Sequence, residues 1–458
     1  MAREMKDSGI EWIGEIPQNW NICRIKNCIC ERTSGAWGNE PKNNKNDVIC
    51  LRIADFDYTK FRFKNTPESQ LTIRNYDDET IDRLKLSKGD ILIEKSGGGE
   101  KTPVGRTVIF DKEYTAIYAN FMDRLRCSNF VLNNWMQFVF VTFYKNDYSR
   151  NYIKQTTGIQ NLDLTSLLSN ERITVPSLSE QKAITDFLDT QCVHIDSVIE
   201  KTRAAIEEYK RLKQSVITQA VTKGIRPNRE MKDSGIEWIG ELPKEWDITV
   251  VGRLCFVTKL AGFEYTKEMD GNITLEGEVP IVRAQNIKMG QFIPNDKEYI
   301  SLELSKRLSR CALDKRCLLI TFIGAGIGET ALYNNEIRSH LAPNVAKIVI
   351  NDDMKKFLIE EYLLYFFMSF SGQEEVNKIK KATAQPSLSM QTIRSIKITL
   401  PRSVFEQSEI VAYLDEKTAA IDTLIQKKEQ LISELEAYKK SLIYEYVTGK
   451  KEVPVHAH

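Results

Sequence analysis

Apolar residues recur in alternating steps of four and three along two long stretches of the chain, and charged residues fill the positions between them. The first stretch carries this pattern at Leu188, Cys192, Ile195, Ile199, Thr202, Ile206 and Tyr209. The second carries it at Leu414, Thr418, Ile421, Ile425, Ile432, Leu435 and Leu442, with Lys428 and Lys439 interrupting the same heptad. An apolar spacing of about 3.5 residues predicts a coiled-coil seam, so each stretch should form one long helix.

The ends of these two helices can also be placed from the sequence. Neither Gly nor Pro occurs between Leu188 and Gly224 or between Leu414 and Gly449, and a glycine is typical of the position where a helix stops. Each helix should run for about 35 residues, or roughly 50 Å at about 1.5 Å per residue. Such stripes also fit core packing or homodimerisation. Because both lie in one chain, we expect an intramolecular antiparallel pair.

The rest of the chain repeats in the same way. "MKDSGIEWIGEIPQNW" from Met5 recurs as "MKDSGIEWIGELPKEW" from Met231, with 13 of 16 positions identical and an offset of 226 residues. Glu180-Gln181 recurs with the same offset as Glu406-Gln407. The chain is therefore predicted to be a tandem duplication of a short strap segment, a variable domain and a long helix. We expect the tryptophans and prolines of the straps to anchor each domain against the helices.

The two variable domains differ in sequence but share the same order of predicted elements. Both consist of short β-rich runs separated by Gly and Asn, and both include some predicted helix. "VICLRIADFDYTKF" from Val48 parallels "VPIVRAQNIKMGQF" from Val279. The predicted fold class is α+β, with two small globular domains joined by two long helices in a pseudo-two-fold tandem repeat. The predicted boundaries are strap 1–20, first variable domain 21–175, central helix 176–226, second strap 227–246, second variable domain 247–400, distal helix 401–450 and tail 451–458.

Composition narrows the class of protein only a little. The chain has 458 residues, of which 42% are hydrophobic and 28% charged, as in ordinary globular proteins. The most apolar run, "FLIEEYLLYFFMSF" from Phe357, is too short to span a bilayer and is predicted to be a buried helix. Nine cysteines form no CxxC pair, which favours reduced thiols over a zinc site or a disulfide framework. The net charge is +1, and a slight basic excess lies in the variable domains.

Apparent catalytic motifs are weak. "FIGAGIG", from Phe322, resembles the glycine turn of a fold that binds a nucleotide or S-adenosylmethionine, but "KSGGGEKTPVG" in the first copy breaks its spacing. The sequence contains no [DNS]PP[YF] element, no GxxxxGK[ST] loop and no PD…(D/E)xK cluster. We therefore interpret both glycine-rich segments as turns between strands and predict no catalytic site.

The doubled motifs resemble a known family. "SGIEWIGEIPQNW", "ITVPSLSEQKAI…FLD…HID" and "SVITQAVTKG", with their second copies, resemble the specificity subunit of type I restriction–modification systems over nearly the whole chain. One departure is an extra residue before Glu406-Gln407, which shifts Pro401 relative to Pro176.

The resemblance implies a non-catalytic DNA-binding subunit that reads double-stranded DNA through two target recognition domains, one for each half of a bipartite site. It implies methyltransferase subunits, usually two, which bind S-adenosylmethionine and dock on the helices, and translocating restriction subunits, which use ATP and Mg. The chain itself should bind no cofactor or metal, and a cytoplasmic location without membrane association is expected. The helical pair would set the spacing between half-sites.

Polar side chains on loops are the candidates for reading bases and contacting phosphates. The predicted DNA-binding residues are Lys95, Ser96, Lys101, Arg106, Gln160 and Asn161 in the first variable domain and Arg283, Gln285, Asn286, Gln385 and Ser387 in the second. Two alternatives stay open at this point: a self-sufficient DNA methyltransferase that uses "FIGAGIG", and a coiled-coil scaffold without a nucleic-acid role.

Overall fold

The chain is divided into two compact units of similar construction. One unit comprises the residues up to Arg203 together with those from Glu429 onward, and the other comprises Ala204–Lys428. Each unit thus contains one strap, one variable domain and one part of each long helix. The computed structural model describes residues 3–156, 158–294, 297–334, 336–381 and 387–454.

The first unit contains the first strap and the first variable domain. Its strands are β1 (Met5–Asp7), β2 (Glu15–Pro17), β3 (Asn21–Arg24), β4 (Ile29–Ser34), β5 (Asp47–Leu51), β6 (Phe56–Asp57), β7 (Arg62–Phe63), β8 (Ile73–Asn75), β9 (Ile91–Glu94), β10 (Ser96–Gly97), β11 (Thr107–Ile109), β12 (Ala116–Tyr118), β13 (Met122–Cys127), β14 (Ile153–Thr156), β15 (Ile159–Leu162) and β16 (Arg172–Val175). Its helices are α1 (Ile25–Cys28), α2 (Asp78–Leu84), α3 (Asn133–Lys145) and α4 (Leu164–Asn170), and α5 (Leu178–Lys223) begins in it.

The second unit repeats this plan. Its strands are β17 (Met231–Asp233), β18 (Glu241–Pro243), β19 (Asp247–Val250), β20 (Cys255–Lys259), β21 (Val279–Val282), β22 (Ile287–Lys288), β23 (Gln291–Phe292), β24 (Tyr299–Ile300), β25 (Ala312–Leu313), β26 (Cys317–Thr321), β27 (Thr330–Tyr333), β28 (Ser339–Leu341), β29 (Val345–Ile350) and β30 (Lys397–Leu400). Its helices are α6 (Val251–Leu254), α7 (Gly262–Glu264), α8 (Leu302–Arg307), α9 (Glu360–Met368), α10 (Phe370–Lys381) and α11 (Met390–Ser395), and α12 (Val404–Val447) begins in it.

The two variable domains are built on matching sheets. In the first, β4, β13, β9, β11, β7 and β6 lie side by side, and in the second, β20, β29, β26 and β27 do so in the corresponding order. A separate sheet contains a parallel pair in each domain, β5 with β12 and β21 with β28. β9 and β26 are buried at every residue, because both faces of the central strand are covered. The α+β prediction is confirmed.

The two long helices form the predicted antiparallel pair. In the first unit, Phe187 of α5 packs on Tyr446 of α12 with ring centroids 4.7 Å apart, and Arg203 lies 3.0 Å from Glu436. In the second unit, Lys428 Nζ of α12 lies 5.8 Å from the ring centroid of Tyr209 of α5, and Lys213 lies 2.7 Å from Asp422. Residue numbers fall along α12 as they rise along α5 in both units, so the helices run in opposite directions.

Most of the predicted heptad positions are buried. On α5 these are Leu188, Cys192, Ile195, Ile199, Thr202 and Ile206, and on α12 they are Leu414, Thr418, Ile421 and Leu442. Tyr209 of α5 and Ile425, Ile432 and Leu435 of α12 are half-buried. The helices have 46 and 44 residues and so exceed the predicted length of about 35. The outer turns of each helix pack on a variable domain rather than on the other long helix. Because the heptad spacing reflects only the contact between the two helices, it does not extend over those turns.

Each long helix ends against a strap. Gly449, just after α12, has a φ of +71°, and a Cβ there would lie 2.5 Å from Pro17 and 3.1 Å from Trp20. Gly224, just after α5, has a φ of +76°, and a Cβ there would lie 3.3 Å from Trp246. Only glycine suits both the left-handed backbone and the close approach.

The strap tryptophans act as anchors in the predicted way. Trp20 and Trp246 are fully buried. Trp20 packs edge-on against Trp135 of α3 with centroids 5.8 Å apart, and Trp246 Nε1 donates to Glu406 at 3.2 Å. Trp12 O accepts a 2.8 Å hydrogen bond from Tyr444 of α12. Each strap therefore joins its variable domain to a helix.

The Glu-Gln motif at the start of each helix has a structural role. Gln181 is fully buried; its side chain accepts from Leu132 N at 2.8 Å and donates to the carbonyls of Phe130 and Pro176. Gln407 makes the equivalent bonds to Ile359 N, Phe357 O and Pro401 O. The extra residue of the second copy is accommodated in the loop between β30 and α12.

The central part of the apolar run from Phe357 is buried in the second unit, whereas Phe357 and Phe370 at its two ends are exposed. That central part forms α9, whose residues Tyr362, Leu363, Phe366 and Phe367 are fully enclosed. The corresponding helix of the first unit, α3, is buried on almost every side. No described helix is both long and apolar enough to cross a membrane.

Candidate nucleic-acid interface

Two neighbouring turns in the first variable domain lie at one edge of the sheet that contains β5 and β12. Because the strands are parallel, their carboxyl ends meet at that edge, and Ala119 N bonds to Leu51 O at 2.9 Å. The turn after β5 is fixed by Asp55, whose carboxylate accepts from Arg52 N at 2.7 Å. We refer to residues 52–55 and 119–121 as the first turn pair.

The second variable domain has the same arrangement. Ala342 N bonds to Val282 O at 2.9 Å, and Asn286 accepts from Arg283 N at 2.7 Å. Residues 283–286 and 342–344 form the second turn pair. Backbone placement is thus preserved between the two domains although the side chains differ.

The glycine-rich loop of the first domain is joined to the polar hairpin formed by β14 and β15. Ser96 pairs with Asn161 and Gly97 with Gln160 in antiparallel register. Ser96 Oγ lies 2.6 Å from Asn161 Oδ1. The structure therefore brings together two segments that the sequence had singled out separately.

The "FIGAGIG" segment has a different structure from a nucleotide-binding loop. It connects β26 to β27, which are antiparallel neighbours, and Gly328 N returns to Thr321 O at 2.9 Å. A nucleotide loop of this type leads from a strand into a helix whose N-terminus binds the phosphate. The prediction of a turn between strands is confirmed. Ile323 forms an isolated antiparallel β-bridge with Ser387, so this loop pairs with the polar segment that contains Ser387.

Several predicted residues of the first domain have their polar groups engaged inside the protein. Arg106 makes a bidentate ion pair with the buried Glu94, at 2.7 and 2.8 Å. Gln160 is buried and accepts from Val104 N at 3.3 Å. Lys95 lies 2.6 Å from Asp123. These side chains hold the loops in place.

The remaining predicted residues of the first domain are more accessible. Lys101 and Asn161 are exposed, and Ser96 is half-buried beside Asn161. A side chain that is exposed on a fixed loop can reach a groove of the double helix, so these positions stay predictions for DNA contact.

The second domain divides its predicted residues in a similar way. Gln285 is exposed at the second turn pair, whereas Asn286 is buried as the cap of the turn. Arg283 pairs with Glu298, with 3.1 Å between Nη2 and Oε1. Ser387 is half-buried at its bridge to Ile323. Gln385 lies outside the described residues.

Burial and ion pairing set the charges near the first turn pair. Burial alone would raise the pKa of Asp123, but hydrogen bonds from Lys95 and Arg32 outweigh it and lower that pKa below 3.8. Burial raises the pKa of Glu94 above 4.5, and Arg106 offsets this only in part. Both carboxylates are paired with cations, so neither presents free negative charge to a ligand.

Sequence reasoning missed the exposed aromatic residues of this region. Trp37 and Phe121 are large and apolar, yet 39% and 49% exposed. They line a cleft of about 430 Å³ together with Ile53, Ala54 and Ala119. The aligned runs from Val48 and Val279 place Arg52 opposite Arg283 and Ala54 opposite Gln285, so they indicated the turn after β5 but not Trp37 or Phe121.

The described residues show no site for a metal. No cluster of three or more His, Cys, Asp or Glu side chains in the described ranges is arranged to hold an ion. All nine cysteines have free thiols.

Comparison with known proteins gives one family for both halves of the chain. The model of the "Type I restriction modification DNA specificity domain" matches residues 17–208 and again residues 243–434. A putative type I restriction enzyme MjaX specificity subunit from Methanocaldococcus jannaschii is 22% identical over 453 residues, which cover 96% of each chain. The EcoKI specificity subunit from Escherichia coli K12 is 24% identical over 452 residues, covering 95% of this chain and 90% of its own.

Two solved structures share the fold. One chain, from work on complex assembly and conformational transition of the type I R-M system, has a TM-score of 0.71 at 14% identity and covers 95% of this chain and 99% of itself. The HsdS subunit from Thermoanaerobacter tengcongensis has a TM-score of 0.51 at 14% identity, covering 97% and 100%.

Proposed function

Because this chain belongs to the family of type I restriction–modification DNA specificity subunits, we propose that it recognises a bipartite DNA sequence and directs its partner subunits to it. Each variable domain reads one half-site. The proposal depends mainly on one observation. Both domains have the same backbone arrangement at their turn pairs, while the exposed side chains on those turns differ. A protein that reads two unlike half-sites needs this combination.

Sequence is read by side chains that reach base edges, and affinity is supplied by cations on phosphates. The turn pairs and the glycine-rich loops together present exposed amides, hydroxyls and lysines. The chain as a whole is nearly neutral, at +1. We therefore expect the isolated chain to bind DNA weakly and the assembled complex to bind it well, since the partner subunits add their own phosphate contacts.

The long helices set the distance between half-sites. Both are continuous across the boundary between the units, at residues 203/204 and 428/429. An uninterrupted α-helix has a fixed rise of about 1.5 Å per residue, so its number of residues determines its length. Inserting or deleting a helical segment would therefore change the number of unread base pairs between the half-sites.

Methyltransferase subunits, two per chain, dock on the outer faces of the helices. Large apolar side chains are exposed on both helices, at Leu178, Val193 and Leu212 of α5 and at Phe405, Leu424, Leu431 and Tyr438 of α12. Isolated exposed apolar residues are ordinary, but seven on two helices that already pack against each other favour a protein partner. S-adenosylmethionine then binds to the methyltransferase subunits, and ATP and Mg bind to the restriction subunits.

The test is to map methylated adenines in DNA from cells that carry this chain and its methyltransferase subunit. The expected result is one two-part motif with a constant gap. Methylation without any shared motif would contradict the proposal.

A second measurement separates the alternatives. A scaffold without a nucleic-acid role would give no salt dependence of duplex binding in the assembled complex, whereas a DNA-binding subunit gives a negative slope. A self-sufficient methyltransferase would bind S-adenosylmethionine without any partner, which calorimetry on the purified chain would detect.

A further inference from the structure

The first turn pair forms an open and mainly apolar cleft with one exposed amide, Asn120, where the second turn pair presents two exposed amides. In the first domain the apolar part of the cleft is lined by Trp37, Ile53, Ala54 and Phe121. A large apolar side chain that stays about half exposed contributes only part of the stabilisation that its full burial would give. Two such residues at one edge therefore indicate a surface kept open for a ligand with an apolar face.

The cleft is held in a fixed shape by the backbone around it. Phe121 O accepts from Lys95 N at 2.9 Å, and Ala119 N bonds to Leu51 O. Asp55 caps the turn that carries Ile53 and Ala54. A preformed cleft loses little conformational entropy when it is filled, which is typical of a binding site.

Three basic side chains lie around the apolar floor. The guanidinium of Arg74 stacks on the ring of Trp37, with 4.3 Å between Cζ and the ring centroid. Lys64 Nζ donates to Ala54 O at 2.7 Å, and Arg52 lines the cleft directly. The neighbouring Asp55 is nearly buried and engaged with Arg52.

One acidic side chain at the rim of the cleft is exposed to solvent. Glu40 is largely exposed and is paired with Arg74. When that pair and the Arg52–Asp55 pair are both counted as neutral, Lys64 still leaves the rim with a net positive charge. An apolar floor inside a positive rim suits a nucleobase attached to a phosphodiester backbone.

The second domain has the same backbone turns as the first but different side chains on them. Val282 and Leu51 end equivalent strands, so Gln285 takes the place of Ala54. Asn344 takes the place of Phe121, and its carbonyl accepts from Phe322 N at 2.9 Å just as that of Phe121 accepts from Lys95 N. Gln285 and Asn344 are both exposed.

We propose that the turn pairs are the principal base-reading elements of the two domains, with the first cleft taking the 5-methyl face of a thymine and Gln285 reading an adenine. The inference rests on the proposed function and assigns its chemistry to particular positions. Apolar contact is the way a protein senses the thymine methyl group, and a carboxamide can bond both N6 and N7 of adenine. Arg52 and Arg283 occupy equivalent positions beside these base-reading groups in the two domains.

The test uses the full chain assembled with its methyltransferase subunits and a duplex that carries the mapped site. Thymines of each half-site are replaced one at a time by uracil, which lacks only the methyl group. We expect one replacement in one half-site to weaken binding by about fourfold. In the F121N variant that same replacement should have no effect, because the methyl contact is already lost.

The second domain is tested with 7-deazaadenine, which lacks the N7 acceptor. One replacement in the other half-site should weaken binding of the unaltered complex by about tenfold and should have no added effect in the Q285A variant. F130A is the matched control, because Phe130 is similarly exposed in the first domain but lies outside the cleft. It should respond to uracil as the unaltered chain does.

Each other outcome overturns the inference. If no uracil or 7-deazaadenine replacement affects the unaltered complex, the turn pairs do not read these groups. If F121N weakens assembly of the complex and lowers binding equally for every duplex, the cleft is a protein-docking surface. If the unaltered complex shows no sequence preference at all, the proposed function itself has failed.

Discussion

Lys439 Nζ of α12 lies 2.7 and 2.8 Å from the two carboxylate oxygens of Asp196 on α5, in a contact almost closed to solvent. The residues 226 positions away from these two, Asp422 and Lys213, form the reciprocal ion pair at 2.7 Å in the other unit. Lys439 interrupts the apolar heptad, so its charge must be paired once it is buried. We infer that this pair fixes the register of the antiparallel helices, as single polar residues do in coiled coils.

Replacing Lys439 with Met should destabilise the first unit by about 3 kcal/mol, because it leaves a carboxylate buried without its partner. Thermal unfolding of the full chain measures this loss. K213M is the matched control: Asp422 is exposed, so its pair should contribute no more than about 1 kcal/mol. Equal losses in the two variants would contradict the assignment of register to the buried pair.

The stability contributed by Asp123 should depend on pH. Its folded-state pKa lies below the ordinary value of 3.8, so the contribution is fully present above pH 3.8 and is lost as the pH falls through the lower folded-state value. The difference in melting temperature between the native chain and D123N should stay constant from about pH 5 to 7 and shrink below about pH 4. A difference that grows in acid would show that the pairing with Lys95 and Arg32 does not hold.

Replacing Gln181 with Ala should lower the stability of the first unit by about 2–3 kcal/mol, because one backbone N–H and two carbonyls lose their partner in a buried place. Hydrogen exchange should report faster opening of α3 and little change in α9. K182A, at the adjacent exposed position, should leave both helices unaffected. An equal effect of Q181A on both units would mean that they do not unfold separately.

The hairpin formed by β14 and β15 should separate structural from DNA-binding roles at adjacent residues. N161A should reduce DNA affinity or alter half-site preference with little change in the melting temperature, since Asn161 is exposed and its hydrogen bond with Ser96 Oγ lies at the surface. Q160A should lower the melting temperature, since Gln160 is buried and bonds Val104 N. Unchanged affinity and preference in N161A would show that this loop does not read DNA.

Lys101 is exposed on the glycine-rich loop and is predicted to contact a phosphate. K101A should weaken binding of the assembled complex about equally for all duplexes and reduce the slope of log affinity against log salt by about 1. Binding titrations at several salt concentrations measure that slope. K154A is a suitable comparison, because Lys154 is held at 2.8 Å by Asp163 and should change the slope less.

The sequence by itself determined the duplication, the long helices and the straps. Heptad spacing is a local property of a helix, and a close repeat of residues implies a repeat of structure, so both could be read without knowing any distant contact. The tandem motifs also indicated the family, which the match to both halves of the chain confirmed.

Only the tertiary structure decided which polar residues are free to bind. Arg106 and Gln160 look like DNA contacts along the chain, but sheet register brings Glu94 and Val104 to them and engages their polar groups. Trp37 and Phe121 are 84 positions apart, and the parallel pairing of β5 with β12 is part of what brings their segments to one cleft. Long-range strand pairing leaves no periodic trace in the sequence, because the two strands need share only their apolar character.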